Sequence, residues 1–273
     1  MSLIEKSERL HSYNSIYNFR DFGAYTGHEG RALRKGHLFR SAHLNTLNDA
    51  DHGAISKLGI GLIIDLRYAP ERSRHPSRLP SNAPQIYAYP DPPEEAKNKV
   101  APHEAFLQHE LKTADDAHAY MMRSYSLRPN DAAYQKIFGD SLRFLAAEKS
   151  TDVKPNDDAG ILVHCAAGKD RTGTLCALVQ GVLGVSKTDI MADYMLTLEA
   201  VDIEAIVTPA AAMFSKRYGR EIDPQALWPM FGVSPEFLES SLNSMGDIET
   251  YAKEKLGITD TELNSIRAQY LET

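Results

Sequence analysis

Cysteine is scarce in this chain, which has two among its 273 residues, Cys165 and Cys176. Two cysteines cannot form the disulfide framework of a small secreted domain. No cluster of cysteines and histidines has the spacing of zinc ligands either. Each cysteine is therefore expected to be either a packed core residue or a reactive one.

Long apolar runs are also absent. No window reaches the ~18 apolar residues of a membrane-spanning helix, so we expect no stable membrane insertion. The first residues, MSLIEKSERLHSY, are charged and lack the apolar core of a secretory signal. We therefore expect a cytoplasmic protein, with secretion by another route as the alternative.

The chain has no excess of basic charge. Its formal net charge of −7 at pH 7 argues against a general nucleic-acid surface, although an acidic protein can hold a local basic pocket. A content of 42% hydrophobic and 25% charged residues is ordinary for a soluble globular protein. We expect no nucleic-acid partner and a single domain over residues 1–273, while the oligomeric state stays open.

Three short apolar segments predict buried strands that emerge at their carboxyl ends: GIGLIIDLR from Gly59, QIYAYP from Gln85 and AGILVHC from Ala159. The proline-rich residues 90–104 and the polar residues 150–160 are interpreted as surface loops. Strands that alternate with helices at first and then give way to helices favour an α/β fold. We expect a central, mostly parallel sheet with helices on both faces.

Helical patterns occupy much of the rest of the chain. Residues 106–147 favour helices with a break at Arg128–Asp131, and the chain after Arg171 favours helices to its end. The segments TDIMADYMLTLEAV and TDTELNSIRAQYL each open with a Thr-Asp pair suited to capping a helix N-terminus. We expect residues 94–130 to form a helical insertion and residues 202–273 a C-terminal helical extension.

The segment ILVHCAAGKDRTG, residues 161–173, places Cys165 five residues before Arg171, between an apolar strand and a helical pattern. Such a loop can turn successive backbone N–H groups inward, and the helix N-terminus adds positive potential, so the loop favours an anion. Gly168 allows a tight turn, and the planar fork of Arg171 matches two oxygens of a phosphoryl group. The expected phosphate-binding residues run without a gap from Cys165 through Ala166, Ala167, Gly168, Lys169 and Asp170 to Arg171.

The same surroundings would lower the pKa of the Cys165 thiol and make it a nucleophile toward phosphorus. Thr172 could donate a hydrogen bond to the sulfur when the sulfur becomes the leaving group. Cys176 lies five residues after Arg171 on the apolar face of the predicted helix, which favours core packing. A role as a resolving thiol is its alternative.

HCAAGKDRTG is similar to the signature loop of the cysteine-dependent protein tyrosine phosphatase superfamily. The segments NFRDFGAY, LFRSAHL, IDLRYAPE and IMADYMLT, in this order, resemble more narrowly the bacterial tyrosine/serine, or triple-specificity, phosphatases that include the mycobacterial secreted enzyme. The resemblance spans residues ~18 to ~200 and departs at Ala24, where a second glycine is expected. It implies a phosphatase fold, hydrolysis through a phosphocysteine, no metal and no cofactor.

A phosphocysteine enzyme needs a proton donor for the leaving oxygen. Asp170 is the first candidate, because the resembling bacterial group and myotubularin-like lipid phosphatases carry an aspartate just before the arginine. Its alternative role is a carboxylate that caps the helix N-terminus. Asp65 at the end of IIDLR is the second candidate, although an ion pair with Arg67 or Arg171 is its expected role. The Trp-Pro pair at Trp228 lacks a following aspartate and is rejected.

Other charged residues near the motifs have supporting roles. Lys169 resembles the loop lysine of phosphoinositide 3-phosphatases and is expected to accommodate a further phosphate, with a solvated side chain as its alternative. His164 is expected to order the loop by hydrogen bonds. Arg20, Arg40 and Arg67 are expected to form scaffolding salt bridges, with loop ordering or substrate contact as alternatives.

Residues 100–128 place apolar and aromatic side chains at helical spacing, which usually indicates core contact. Because related bacterial enzymes often carry a helical pair over the pocket, we expect the insertion to act as a lid that shields the thiolate.

Three functions follow from these patterns. The first is a phosphatase acting on a phosphorylated protein, at phosphotyrosine and also phosphoserine or phosphothreonine, or on a phosphoinositide lipid. The second is an inactive module that binds phosphate, which the intact Cys165, Asp170 and Arg171 disfavour. The third is a thiol enzyme such as a sulfurtransferase or arsenate reductase, which the GKDRTG run and the upstream motifs disfavour.

Overall fold

The computed structural model describes residues 9–79, 84–91, 100–147 and 159–273. The first residues of the predicted insertion, 94–99, and most of the predicted loop at 150–160 lie outside these ranges. Within the described ranges, no helix is long and apolar enough to cross a membrane.

A five-stranded sheet has the order β1-β2-β5-β3-β4. Its strands are β1 (Arg20–Asp21), β2 (Leu38–Ser41), β3 (Ile60–Asp65), β4 (Gln85–Ala88) and β5 (Gly160–His164). Strand β1 is antiparallel to β2, and the β2–β5, β5–β3 and β3–β4 pairs are parallel. The mostly parallel sheet and the positions of the three predicted strands are confirmed, but the predicted burial of β4 is wrong, because β4 is an edge strand in which Gln85 and Ile86 are exposed. The sequence analysis did not predict β1 and β2, which lie inside the NFRDFGAY and LFRSAHL motifs.

Helices surround the sheet. They are α1 (Asp49–Ile55), α2 (Ala69–Arg74), α3 (Pro102–His109), α4 (Ala114–Leu127), α5 (Ala132–Ala146), α6 (Asp170–Val182), α7 (Lys187–Met195), α8 (Thr197–Ala200), α9 (Ile203–Tyr218), α10 (Pro224–Phe231), α11 (Pro235–Met245), α12 (Ile248–Glu254) and α13 (Asp260–Tyr270). Short 3-10 helices occupy residues 28–30, 56–58 and 128–130.

Capping residues explain where several helices begin. The break at Arg128–Asp131 is confirmed, and Asp131 caps α5. Thr259 caps α13 as predicted, in a capping box with Glu262. The cap predicted for the preceding Thr-Asp pair is wrong, because Ser186 caps α7 by accepting a hydrogen bond from the Asp189 N–H. The predicted helix there also divides at Leu196 into α7 and α8.

The central strand β5 separates two apolar layers. Ile161 and Val163 point into the larger core on the side of α5, α6 and α11–α13, whereas Leu162 points into the smaller core with Phe39 and Ile63. Alternate side chains of a strand point to opposite faces, so both faces of β5 are covered. Burial of each of these large apolar side chains stabilises the fold by roughly 1.5–3 kcal/mol.

A third apolar cluster joins α3, α4, α9 and α10, with Phe106, Leu107, Val207 and Leu227 among its buried members. The parallel strands β3 and β5 end at the same edge of the sheet, at Asp65 and His164. The chain leaves β5 there, forms the cysteine loop and enters α6. Ligands of parallel α/β sheets bind at the carboxyl ends of their strands, so a site is expected at this edge.

Candidate active site

The cysteine loop makes a tight turn between β5 and α6. Gly168 has φ +68°, and a Cβ at this position would lie 2.2 Å from the backbone oxygen of Ser41. A residue other than glycine would therefore combine an unfavourable backbone conformation with a collision against β2. Helix α6 begins at Asp170, so the unpaired N–H groups of its first turn lie next to the loop.

Side chains from the upstream motifs hold the outer side of the loop. The Asn18 side-chain amide donates to the carbonyl oxygens of Ala167 and Gly168, both at 3.0 Å. Arg40 donates to the Gly168 oxygen from the other side, also at 3.0 Å. Asn18 itself has φ +57°, which is uncommon for a residue other than glycine. Because the carbonyl oxygens are bound outside the loop, its N–H groups are free to face an anion.

A buried charge cluster supports these contacts. Asp193 of the IMADYMLT motif lies 3.4 Å from Arg20 Nε and 2.6 Å from Arg40 Nη1, and all three side chains are buried. Burial and the neighbouring Arg40 lower the pKa of Arg20 to about 10. The salt-bridge scaffolding expected of Arg20 and Arg40 is present, and Arg40 also orders the loop directly. Ala24, the departure from the family pattern, has φ +52°, which explains why glycine is expected there.

Arg171 is bound by a carboxylate that the sequence analysis did not select. Its Nη1 lies 2.6 Å from Glu71 Oε2 and its Nη2 lies 2.9 Å from Glu71 Oε1, while Nη1 also donates to the Leu66 oxygen at 3.1 Å. Burial raises the pKa of Glu71, but the charge and hydrogen bonds of Arg171 outweigh it and lower that pKa to about 2. The available signal was the position of Glu71, which ends the IDLRYAPE motif.

Asp65 contacts Arg67 and not Arg171. The distance from Asp65 Oδ2 to Arg67 Nη2 is 2.7 Å, and Asp65 Oδ1 accepts from Arg67 Nε at 2.9 Å. The Nε2 atom of His164 is 3.7 Å from Asp65 Oδ2. Burial would raise the pKa of Asp65, but His164 and Arg67 lower it below its usual range. Asp65 is thus a buried, ion-paired carboxylate, in agreement with the supporting role expected of it.

Asp170 lies at the first position of α6 and lines the cavity above the loop. Its Oδ1 accepts a hydrogen bond from the Tyr125 hydroxyl at 2.7 Å and is 3.2 Å from Lys169 Nζ. Its side chain is 23% exposed. Asp170 lines the cavity, whereas the other candidate acid, Asp65, is not among the described residues that line it.

Lys169 is buried rather than solvated, so its alternative role as a surface charge is wrong. Its Nζ donates to the Gly232 oxygen at 2.7 Å, just beyond the end of α10. The ammonium group is therefore already bound to a main-chain oxygen of the protein.

The remaining predicted residues are all buried. His164 is fully buried, with Nδ1 3.3 Å from the Cys165 oxygen, and burial lowers its pKa. Thr172 is also fully buried, and its hydroxyl has no hydrogen-bond partner within the described part of the chain. The predicted hydrogen bond from Thr172 to the sulfur is thus not formed in this structure. Cys176 is packed in the core, and burial raises its pKa to about 12.

A cavity of about 300 Å³ stands over Cys165, Ala166 and Ala167. Its walls come largely from α3, α4, α9 and α10. The aromatic residues that line it are Tyr68, Tyr120, Tyr134, Phe214 and Phe231. Two titratable residues that the sequence analysis missed also line it, His103 and Arg128. Burial and the nearby Arg171 lower the pKa of His103. An aromatic cavity with a thiol and a guanidinium at its floor suits an aryl group that carries an anion.

A mostly parallel α/β sheet whose central strand runs into a Cys-x5-Arg loop and a helix is typical of cysteine-dependent phosphatases. The sequence model of the tyrosine phosphatase family matches residues 11–272. The chain belongs to that family. The family and the three-dimensional structure together confirm the predicted fold class.

Two curated relatives match nearly the whole chain. The triple specificity protein phosphatase PtpB of Mycobacterium tuberculosis is 28% identical over 93% of this chain and 96% of its own length. A putative tyrosine-protein phosphatase of Cupriavidus necator is 25% identical over 95% of this chain and 88% of its own length. A solved structure, that of P. aeruginosa TpbA, aligns over 85% of each chain with 13% identity and a TM-score of 0.24.

Proposed function

We propose that this protein hydrolyses phosphomonoesters through a phosphocysteine on Cys165, with phosphotyrosine as its principal substrate class. The observation that carries the proposal is the position of Cys165 at the floor of an aromatic cavity, beside an Arg171 whose fork is oriented by Glu71. A cavity of about 300 Å³ accommodates a phenyl ring together with a phosphoryl group.

In the first step the Cys165 thiolate attacks phosphorus, a sulfur–phosphorus bond forms, and the bond from phosphorus to the ester oxygen breaks. Arg171 and the loop N–H groups bind the phosphoryl oxygens, whose charge is redistributed in the transition state. Asp170 transfers its carboxyl proton to the departing oxygen, which leaves as a neutral phenol or alcohol. Asp170 is then a carboxylate.

In the second step water attacks the phosphocysteine, and the Asp170 carboxylate takes a proton from that water. The sulfur–phosphorus bond breaks, inorganic phosphate forms and the thiolate returns. Thr172 donates a hydrogen bond to the sulfur as it leaves. A buried hydroxyl without a partner supports this role, because an unsatisfied buried donor costs about 1–3 kcal/mol and gains a partner when the sulfur is charged.

The helices over the cavity determine which substrates reach the sulfur. We propose that residues 94–130 and 202–273 are parts of one phosphatase domain and that the insertion gates bulky substrates. The contributions of α3, α4, α9 and α10 to the cavity walls support this proposal. The Mycobacterium tuberculosis relative is named a triple specificity protein phosphatase, which supports testing more than one class of substrate.

A substrate panel tests the proposed function. Purified protein is assayed with p-nitrophenyl phosphate, phosphotyrosine and phosphoserine peptides, and a phosphoinositide, with and without vanadate. We expect vanadate-sensitive turnover that is highest with aryl phosphates and is lost in Cys165→Ser. The matched control is Cys176→Ser, which removes the buried thiol of helix α6 and should keep the activity.

Vanadate-sensitive turnover that survives Cys165→Ser would overturn the phosphocysteine mechanism. Turnover that is absent while phosphopeptide binding persists would favour the inactive binding module. A rate that is highest with the phosphoinositide would move the assignment to lipid phosphatases with the same mechanism.

A further inference from the structure

We propose that Tyr125, supported by Tyr194, positions Asp170 so that its Oδ2 atom carries the proton given to the leaving group. The inference deepens the proposed function, because it depends on Asp170 as the acid. Tyr125 is a positioning residue in this scheme, since it acts on the carboxyl group and not on the substrate.

The two tyrosines and the aspartate form a chain of short hydrogen bonds. The Tyr125 hydroxyl oxygen is 2.7 Å from Asp170 Oδ1 and 2.7 Å from the Tyr194 hydroxyl oxygen. A hydroxyl group has one proton to donate. Because the Tyr125 proton goes to the carboxyl group, the bond between the tyrosines must be donated by Tyr194.

Burial keeps this chain in place and in its donating form. Tyr125 and Tyr194 are 0% and 1% exposed, and the ring of Phe237 lies 5.8 Å from that of Tyr125. Burial raises the pKa of both phenols far above their ordinary value. Both hydroxyls therefore remain protonated donors at neutral pH.

A positive charge lies beside the same oxygen of the carboxyl group. Lys169 Nζ is 3.2 Å from Asp170 Oδ1 as an ion pair, while it donates its hydrogen bond to the Gly232 carbonyl. With the Tyr125 donor and the Lys169 charge at Oδ1, the carboxyl proton is placed on Oδ2. When the Oδ2–H bond breaks and the proton moves to the departing oxygen, the charge left on the carboxylate is stabilised by Tyr125 and Lys169.

Within the described residues, the other charged and titratable groups around Asp170 make no hydrogen bond to its carboxyl group. Arg128 reaches the main-chain oxygen of Asp170 at 3.5 Å and donates to the Thr174 hydroxyl at 2.7 Å. Arg171 is bound to Glu71. His103 and Tyr120 interact with Asp170 electrostatically across the cavity.

The elements that supply the two tyrosines are themselves attached to the site. Tyr125 belongs to α4 in the predicted insertion, and the Ser241 hydroxyl of α11 donates to its main-chain oxygen at 2.7 Å. Tyr194 belongs to α7, next to the Asp193 that supports the loop through Arg40. The acid is thus placed by the insertion on one side and by the loop scaffold on the other.

The test is the dependence of kcat/KM on the pKa of the leaving group across a series of aryl phosphates. We expect Tyr125→Phe to lower kcat/KM about tenfold for the poorest leaving group and less for the best, which steepens the dependence. Tyr194→Phe removes only the supporting donor and should give a smaller change in the same direction. The matched control is Tyr251→Phe, which loses an equally buried hydroxyl that donates to the Pro129 oxygen at 2.6 Å outside the cavity lining.

A dependence in Tyr125→Phe and Tyr194→Phe as shallow as in the unmodified protein, while Asp170→Asn is steep, would overturn the positioning role and leave the acid assignment standing. An Asp170→Asn variant with an unchanged dependence would instead overturn the acid assignment. If Tyr125→Phe does not fold, the slope measured in Tyr194→Phe against that in Tyr251→Phe decides the proposal.

Discussion

Arg171 and Glu71 form a bidentate, buried ion pair, with their nitrogen and oxygen atoms 2.6 Å and 2.9 Å apart. The guanidinium also lies over the Tyr68 ring, with its central carbon 4.9 Å from the ring centroid. These contacts hold the plane of the fork at the cavity floor before any substrate arrives. Preorganisation of this kind reduces the free energy needed to orient the group during the reaction.

Substitution of the carboxylate should therefore affect catalysis through the arginine. We expect Glu71→Gln to lower kcat/KM for an aryl phosphate by about ten- to a hundredfold, because one charge-assisted pair of hydrogen bonds is lost. The same variant should weaken inhibition by inorganic phosphate. Glu104→Gln serves as control, since Glu104 pairs with Arg74 at 2.7 Å beside the site. Equal phosphate affinity in Glu71→Gln and the unmodified protein would contradict the prediction.

The same pair makes the free energy of unfolding depend on pH in acidic solution. The pKa of Glu71 is lowered from its ordinary 4.5 to about 2 in the folded protein, so the folded state favours the ionised form. This contribution is fully present above the unfolded pKa of 4.5 and is lost as the pH falls toward about 2. Between pH 4.5 and about pH 2, urea unfolding should show a smaller decrease in the free energy of unfolding for Glu71→Gln than for the unmodified protein. Identical slopes in both proteins would contradict it.

Gly168 should not tolerate even a methyl group. Its φ of +68° and the 2.2 Å separation between an added Cβ and the Ser41 oxygen predict that Gly168→Ala distorts the loop and abolishes turnover. Gly30→Ala is the control, because Gly30 has φ +75° but open space around its Cβ position. We expect Gly30→Ala to lower the free energy of unfolding by about 1 kcal/mol and keep activity. Comparable activity in the two variants would show that the collision with Ser41 is relieved.

Asn18 should matter for the loop more than for the fold. Asn18→Gly keeps a residue that accepts the φ of +57° but removes both hydrogen bonds to the loop carbonyls. Each such bond contributes about 1 kcal/mol, so we expect kcat/KM to fall about tenfold or more with a modest loss of Tm. Asn48→Gly, which removes the side-chain cap of α1, should lower Tm without this kinetic change. A kinetic loss of the same size in Asn48→Gly would refute the loop-specific role.

The two cysteines should differ in reactivity. Cys165 lines the cavity, whereas Cys176 is packed in the core and burial raises its pKa to about 12. Iodoacetamide should therefore label Cys165 alone in the folded protein, and inorganic phosphate should slow the labelling. Peptide mass analysis of native Cys165→Ser should find no label. A labelled Cys176 in that variant would show that the core admits the reagent.

Local patterns account for much of what the sequence predicts correctly. The apolar run of β5, the glycine of the loop and the polar start of α6 are adjacent along the chain, so the strand, the turn and the helix follow from neighbouring residues. The Thr259 cap is correct for the same reason. The cap predicted at Thr188 is wrong because Ser186, two residues earlier, occupies the N-cap position of α7.

Contacts between distant residues escape such reasoning. The motifs that contain Asn18 and Glu71 do not specify which residues these side chains contact. The Asn18–Gly168 and Glu71–Arg171 pairs depend on how β2, β3 and β5 align. The hydrogen bond from Lys169 to the Gly232 oxygen could not be predicted from the sequence for the same reason. These pairs depend on the positions of α10 and of the sheet in the fold.

The sequence by itself predicted an anion-binding loop, because Cys165, Gly168 and Arg171 lie close together along the chain, between the end of β5 and the first turn of α6. It also determined the α/β class, because strand and helix periodicities alternate along the chain. Only the tertiary structure decided which carboxylate orients Arg171, which tyrosine meets Asp170 and where Lys169 points. Those choices are made by packing, which selects among many chemically equivalent partners on the basis of distance and burial.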